Sequence, residues 1–394
     1  MLVAWSRSQG LELEFRLSRI TGEKARNALF PCRDGRLVQK NMKLLSRKSR
    51  TSVGLDIGSS YVKIVEVDHS KSGPTLRSFG VVKLPPEAIV EGEIMDRSLV
   101  IEGIQGCMST ASVDKKDVVT AVSGRAVIVK KIVMDKMNPD DAKEAIFWEA
   151  EQHVPFDIDD VCLDFEVLRD DVGANQMEIL LVAAKKEMVE THASLVKDAG
   201  FNPVIIDVDS FAIQNAYELT HEDLGNRVAG LINIGSDVTN INVIRNSIPL
   251  FTRDLSVGSN AFIEAMQREL GINFDDAEAI VNGTAQPQDE QKCRQIISHA
   301  CEELSTGINR SISFLKTAGD ADQLDEVILS GGGARVPGLR EILSEKHGVE
   351  FKVNDSVSRI RPDDRMDPDA TAELERLAPM LTVSLGLALR REGN

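Results

Sequence analysis

The chain has little with which to hold a metal or a disulfide. Its 394 residues include five cysteines and six histidines. No cysteines stand at CxxC spacing, and no histidines at HxxxH or HExxH spacing. Metal and disulfide frameworks need such pairings, so Cys32, Cys107, Cys162, Cys293 and Cys301 read as reduced structural thiols. Any run of about 18 uncharged apolar residues, the minimum for a membrane helix, is also missing. Met1–Ser8 has too short an apolar core for a secretory signal, so a cytoplasmic compartment is expected. Positive charge is scarce: 46 Lys and Arg stand against 62 Asp and Glu, a net charge of −16. Nucleic acid is therefore not an expected partner, because non-specific binding needs basic surface to release counterions.

What basic charge exists is unevenly placed. Residues 1–50 hold twelve Lys or Arg and four Asp or Glu, +8, which leaves −24 for the remainder. This segment reads as a disordered basic tail, which would also suit anionic lipid. Alternatively it is not translated, because Met42 opens MKLLSRKSR directly before the first apolar strand. The rest, in a chain 42% hydrophobic and 27% charged, is long enough for two domains with sizeable cores.

Periodicity predicts an α/β protein. Strands are expected over 53–67 as a hairpin and over 77–85, then a helix over 97–112 and strands over 117–122 and 127–134. A self-contained α-β-β-α insertion follows. Its first helix has Asn138 as N-cap, Pro139 at the first position and Asp140 and Asp141 on the positive end of the dipole. Strands over 162–168 and 177–183 and a helix over 187–199 with a glycine stop at Gly200 complete it. The chain then returns as an apolar strand and a helix ending near Leu219. From Asn226 the layout repeats, with strands over 228–234, 239–245 and 248–254. Helices are expected over 259–270, 275–282 and 288–318, a strand over 326–329 and a helix over 338–347. A strand over 350–354 and a final apolar helix over 378–390 end it. Two hairpins with small polar tips about 180 residues apart imply a duplicated architecture.

Three turns carry candidate chemistry. In Asp56-Ile57-Gly58-Ser59-Ser60, glycine allows a tight turn while serine hydroxyls and exposed N–H groups suit phosphate oxygens. Asp56 can hold magnesium through water, and Lys63 supplies positive charge. The second site is Asn233-Ile234-Gly235-Ser236-Asp237-Val238-Thr239, with Gly235, Ser236 and Thr239 near the tip. Each of these, alone, also makes a plain hairpin turn. The third, Ser330-Gly331-Gly332-Gly333-Ala334-Arg335, joins a strand to a helix. Gly331, Gly332 and Gly333 there offer bare backbone to a flat ring or ribose.

Taken together and in this order, the turns resemble those of the actin, Hsp70 and sugar-kinase ATPase superfamily. That implies an actin-like two-domain fold of duplicated ribonuclease-H-like domains clamping a nucleotide. VGLDIGSSYVKIVEV, AIFWEAEQHVPFDIDDVCLDFEVL, IIDVDSFAIQNAYE and LINIGSDVTNINVIRNSIPLFTRDLSVGSN are more closely similar to the PilM family of type IV pilus assembly, relatives of the division protein FtsA. This resemblance covers about Met42 to Arg390. It implies subdomain 1A over 51–128 plus 204–225, an FtsA-type 1C subdomain over 129–203, and a second actin-like domain (2A/2B) over 226–394.

The same resemblance implies a cytoplasmic ATP-binding scaffold, peripheral at the inner membrane through its partners. It would take the cytoplasmic N-terminal peptide of PilN in a groove between 1A and 1C. It would thereby link the alignment complex to other inner-membrane and motor components; a homo-oligomer is left open. ATP and Mg2+ are the implied ligands. Asp56 would organise magnesium, and Gly58, Ser59, Ser60, Gly235, Ser236 and Thr239 would hold phosphates. Lys63 would balance charge, and Gly331–Gly333 would pack near adenosine. Phe147, Trp148 and Phe156 are expected to be buried on the 1C sheet sooner than to line the groove. Superfamily ATPases carry Asp where this chain has Asn233; a neutral amide predicts binding with at most slow hydrolysis. No catalytic base is evident. The rivals are an FtsA-like division scaffold, disfavoured by the ending LALRREGN, a sugar kinase, and a filament-forming actin-like protein.

Overall fold

The computed structural model describes residues 51–390 except 71, 72, 91, 174, 222–224, 320, 365 and 367, together with residues 2–6 and 11–15. Leu2–Ser6 and Leu11–Phe15 pair as an antiparallel hairpin. The remainder of the basic segment lies outside the described residues, as does Cys32.

Two mixed sheets share one connectivity. In the first, Thr51–Ile57, Tyr61–Ser70 and Gly73–Lys83 form an antiparallel meander. Asp117–Val122 then adds parallel beside Thr51–Ile57, and Asn202–Val208 adds parallel beside it. In the second, Val228–Ile234, Thr239–Arg245 and Ile248–Leu255 form the meander. Glu326–Ser330 and Phe351–Val353 add in parallel on the other side. A parallel neighbour needs a crossover of a dozen or more residues. Helices Arg97–Thr110, Glu302–Ala318 and Leu339–His347 supply three of the four.

The fourth crossover, between Asp117–Val122 and Asn202–Val208, contains the insertion. Its sheet has three strands in the order Val161–Arg169, Gln176–Lys185, Val127–Asp135, so the isolated apolar run at 127–134 belongs to this unit as an edge strand. Helix Pro139–His153 buries Ala142, Ile146 and Ala150 against this sheet, a seam at i, i+4 and i+8. Phe147 and Trp148 fall outside that seam and are 49% and 71% exposed. Their expected burial is thus corrected; Phe156 is half-buried beneath the Lys185 ammonium, 4.8 Å from the ring centroid.

Helices cover both faces of each main sheet, which is why the strands read as near-continuous apolar runs. Val53, Leu55, Val62 and Ile64 pack under Val100, Ile104 and Cys107 of helix Arg97–Thr110. Between the two sheets lie helices Asp209–Glu218 and Thr382–Ala388. They bury Ala212, Ile213, Val383 and Leu387 against Val119 and Ala121 on one side and Leu231 and Ile328 on the other. Each fully buried aliphatic side chain contributes about 1.5–3 kcal/mol. The two helices touch through Gly386, where an added Cβ would fall on the Ala212 carbonyl. An ion pair between Arg390 Nε and Asp207 Oδ2, 2.6 Å long with side chains 5% and 2% exposed, ties the segment after helix Thr382–Ala388 to the first sheet.

Two further differences from the sequence reading are local. The helix expected over 288–318 is two, Glu290–Ala300 and Glu302–Ala318, because Cys301 caps the first and its N–H turns back to Ile297 and His299. Arg361–Pro362 adds a short strand beside Gly73–Lys83, carrying the chain from the second sheet back to the first. Cys107 and Cys162 are buried, and burial pushes their thiols up to about 12 and about 11, so they are inert as nucleophiles.

Candidate functional site

The first hairpin places Asp56 directly opposite Lys63. Residues opposed across an antiparallel pair project to the same face, and Lys63 Nζ meets Asp56 Oδ2 at 2.7 Å, both side chains largely buried. The tip closes with the Gly58 N–H donating to the Tyr61 carbonyl at 3.1 Å. Ser59 and Ser60 stand beyond that bond, half-exposed. Their N–H and hydroxyl groups meet no acceptor among the described residues. They are free to donate outward.

The second hairpin repeats the geometry with different chemistry. Asn233 stands opposite Asn240, and the Gly235 N–H donates to the Val238 carbonyl at 2.9 Å. Ser236 occupies the tip, half-exposed. Thr239 does not: it is fully buried, and its hydroxyl donates to the Val257 carbonyl at 2.7 Å. Amides then form a relay. Asn233 Nδ2 donates to Asn240 Oδ1 at 2.9 Å, and Asn240 Nδ2 donates to Asp254 Oδ1 at 2.9 Å. The other Asp254 oxygen accepts the Gly124 N–H, from the loop that ends Asp117–Val122. The relay therefore ties the second tip to the first domain.

The glycine turn packs on this second tip. Gly331 has φ +85°, and a Cβ there would collide with the Ile234 carbonyl and lie 2.9 Å from Asn233 Oδ1. A Cβ at Gly333 would collide with the Ile234 side chain. Both glycines are required by the protein's own backbone approach. Gly332 alone faces open space, its nearest neighbour at Cβ distance being Met380 at 4.0 Å. Beside the turn, Arg335 donates to the Asn282 carbonyl at 3.1 Å, and burial holds its guanidinium below its ordinary value.

Asp209, the first residue of helix Asp209–Glu218, lies within electrostatic reach of Asp56 and Lys63 at the first tip and of Asp254. Burial, and next the Asp56 charge, push its carboxyl up to about 7, against a hydrogen bond from Ser123 and the pull of Lys63. Burial likewise raises Asp254. Asp209 is a raised carboxyl beside Asp56 that sequence reading did not find. Its signal was present: a carboxylate at the C-terminal end of a parallel strand, where open α/β sheets bind ligands. At the cleft mouth, Lys83 Nζ reaches Glu278 Oε2 at 2.6 Å, and the Tyr61 hydroxyl donates to Glu278 Oε1 at 3.4 Å. These contacts join the first domain to helix Phe274–Val281 of the second.

Among the described residues no group of three or more His, Cys, Asp or Glu side chains is placed to hold a metal ion. The donor set fits a magnesium ion held by one or two carboxylates and a polyphosphate. No helix among these residues is long and apolar enough to cross a membrane.

Comparison with known proteins agrees with this geometry. A profile of the family described as type IV pilus assembly protein PilM matches residues 54–392. The chain is similar to the solved structure of a "PilM-PilN type IV pilus biogenesis complex". Identity is 29% over 86% of this chain and 98% of that one, with a TM-score of 0.75. It also resembles the ethanolamine utilization protein EutJ from Carboxydothermus hydrogenoformans, at 16% identity, 86% and 89% coverage and TM-score 0.52. MreB5 of Spiroplasma citri bound to ADP matches at 12% identity, 86% and 95% coverage and TM-score 0.50. The last two likenesses establish the actin-like fold.

Proposed function

The chain belongs to the PilM family of type IV pilus assembly proteins, and from that premise we propose that it is an ATP-binding scaffold taking the cytoplasmic N-terminal peptide of PilN. The observation that carries this reading is the near-complete cover of the chain by the PilM family, with 29% identity to the PilM of a PilM-PilN complex. The peptide would lie between the first domain and its three-stranded insertion, and the protein would be peripheral at the inner membrane through that contact.

Nucleotide binding rests on the two tips. Ser59, Ser60 and Ser236 present outward donors on either side of Asp56, Lys63 and Asp209. Bound magnesium would neutralise phosphate charge next to Asp56, while Lys63 would exchange part of its contact with Asp56 for a phosphate oxygen. Gly332 is the one residue of the glycine turn open to a ring or ribose. Thr239, its hydroxyl already engaged, supports the tip and does not reach outward.

Slow turnover follows from the second tip. Asn233 is neutral and its amide nitrogen donates to Asn240, so it carries no negative charge with which to accept a proton or hold a cation as a carboxylate would. Asp209 is the group available to accept a proton from water. ATP closing the two domains would then fix the surface that PilN reads.

The test is titration of a fluorescent peptide matching the PilN cytoplasmic tail into the full chain, with and without ATP and magnesium. Saturable binding at roughly micromolar peptide, tightened by ATP, is expected. No binding up to about 1 mM, equivalent to about −4 kcal/mol, overturns the scaffold assignment.

A further inference from the structure

On the side of the second tip away from the glycine turn lies a cavity of about 520 Å³ that the nucleotide cleft does not use. Its walls come from both domains: Arg125 follows the first-domain strand Asp117–Val122, while Arg253 and Arg310 come from the second domain. Among the described residues none of the three guanidinium groups has a carboxylate partner. The Arg125 guanidinium donates to the Ser256 hydroxyl, at 2.9 Å, and the exposed side chains of Arg253 and Arg310 make no bond among the described residues.

The acids of the cavity do not cancel this charge. Glu302 is held by Lys346 at 2.6 Å. Both oxygens of Asp254 are turned to Asn240 and Gly124. Only Glu303 remains against three arginines, in a chain of net charge −16. Ser256 and Thr306 add hydroxyl donors to the wall. Three arginines lining one cavity, with hydroxyls beside them, supply the groups for planar, multidentate recognition of a phosphoryl oxyanion. The volume suits a small molecule.

Asp254 borders both this cavity and the cleft. One of its oxygens closes the relay to Asn233 at the second tip, and the other holds the first-domain loop that carries Arg125. An anion that draws Arg125 and Arg253 together would pull on the same loop. We propose that this cavity is a second anion site, separate from the nucleotide cleft, for a phosphate-bearing small molecule, and that its occupancy reaches the cleft through Asp254.

Equilibrium dialysis of radiolabelled pyrophosphate against the full chain, with inorganic phosphate, ATP and a glutamate-rich peptide as competitors, tests it. Two classes of pyrophosphate site are expected. The double variant Arg253→Ala/Arg310→Ala should weaken one class at least about tenfold while still binding ATP. Lys63→Ala should weaken the other class only. Competition by inorganic phosphate alone would identify the free ion as the source, and competition by ATP at the arginine class would identify a nucleotide. In the parent chain, pyrophosphate at the arginine class should shift ATP affinity by about fivefold or more, the ordinary scale of coupling. Asp254→Asn should abolish that shift without removing the class. The proposal is overturned by a single class lost in Lys63→Ala, or by an arginine variant that melts as the parent does and keeps both classes. Displacement by the peptide but not by phosphate equally overturns it.

Discussion

At the first tip Asp56 and Lys63 form a charged pair, whereas at the corresponding strand positions of the second tip Asn233 and Asn240 form a neutral one. Both pairs are seven residues apart, opposed across the hairpin, with the same glycine N–H closing the turn. The surroundings differ accordingly. The first tip is braced by its own hairpin and by the Leu84 N–H on the Ser60 carbonyl, and among the described residues its two serine hydroxyls have no acceptor. The second is wedged by Gly331 and Gly333 and tied by Asp254 to the other domain. One hairpin thus offers charge that can be rearranged around a ligand, and its duplicate offers a fixed wall.

The sharpest way to break this comparison is to add one methyl group to each tip. Gly331→Ala meets a positive φ and a backbone collision together, each costing roughly 1–3 kcal/mol. A loss of at least about 3 kcal/mol in urea unfolding is expected. Gly58→Ala puts its Cβ 3.2 Å from Lys63 Nζ and 3.3 Å from the Tyr61 carbonyl oxygen, close contacts without collision at a φ that any residue adopts, and should cost about 1 kcal/mol. Equal losses would show that the tips are equally rigid.

Acid should distinguish the two domains almost as strongly. His192 is half-buried behind the first hairpin beside Thr120, 2.8 Å from its hydroxyl, and desolvation lowers its imidazole to about 4. A histidine depressed in the fold contributes stability that is complete above its unfolded value of about 6.5 and is lost as pH falls toward 4. The full span is about 3 kcal/mol. Hydrogen exchange between pH 7 and 4.5 should therefore loosen the first sheet ahead of the second, and His192→Gln should remove the difference. Uniform loosening would contradict it.

The smallest effect concerns the cleft mouth. Lys83 is 44% exposed and Glu278 16%, so their pair is screened by water and contributes below about 1 kcal/mol. Lys83→Ala should leave thermal unfolding within error while widening the ATP-free molecule in small-angle scattering. An unchanged radius would show that the pair does not hold the domains together.

Much of this was legible because it is local. Hairpin alternation, the glycine-rich strand-to-helix turn and the N-cap at Asn138 follow from residues within a few positions of each other. The inserted unit was visible for the same reason. Its exposed Phe147 and Trp148 were misjudged by residue type, although the Ala142–Ile146–Ala150 seam was already in the sequence. The break at Cys301 carries no proline or glycine, and apolar periodicity runs through it unaltered. Long-range facts were out of reach. That Asp254 closes a relay from Asn233, or that Gly331 and Gly333 serve the second tip before any ligand, depends on segments roughly 20 to 100 residues apart meeting in space.

The central claim is that the charged tip and the fixed wall hold ATP without consuming it quickly. Filter binding of doubly labelled ATP, followed over minutes in magnesium, tests this directly on the parent chain and on Asp56→Ala. The expected result is about one ATP retained intact per chain in the parent, with affinity at least about tenfold weaker in the variant. Steady turnover at about 1 per second or faster, or equal retention by both proteins, would contradict the account.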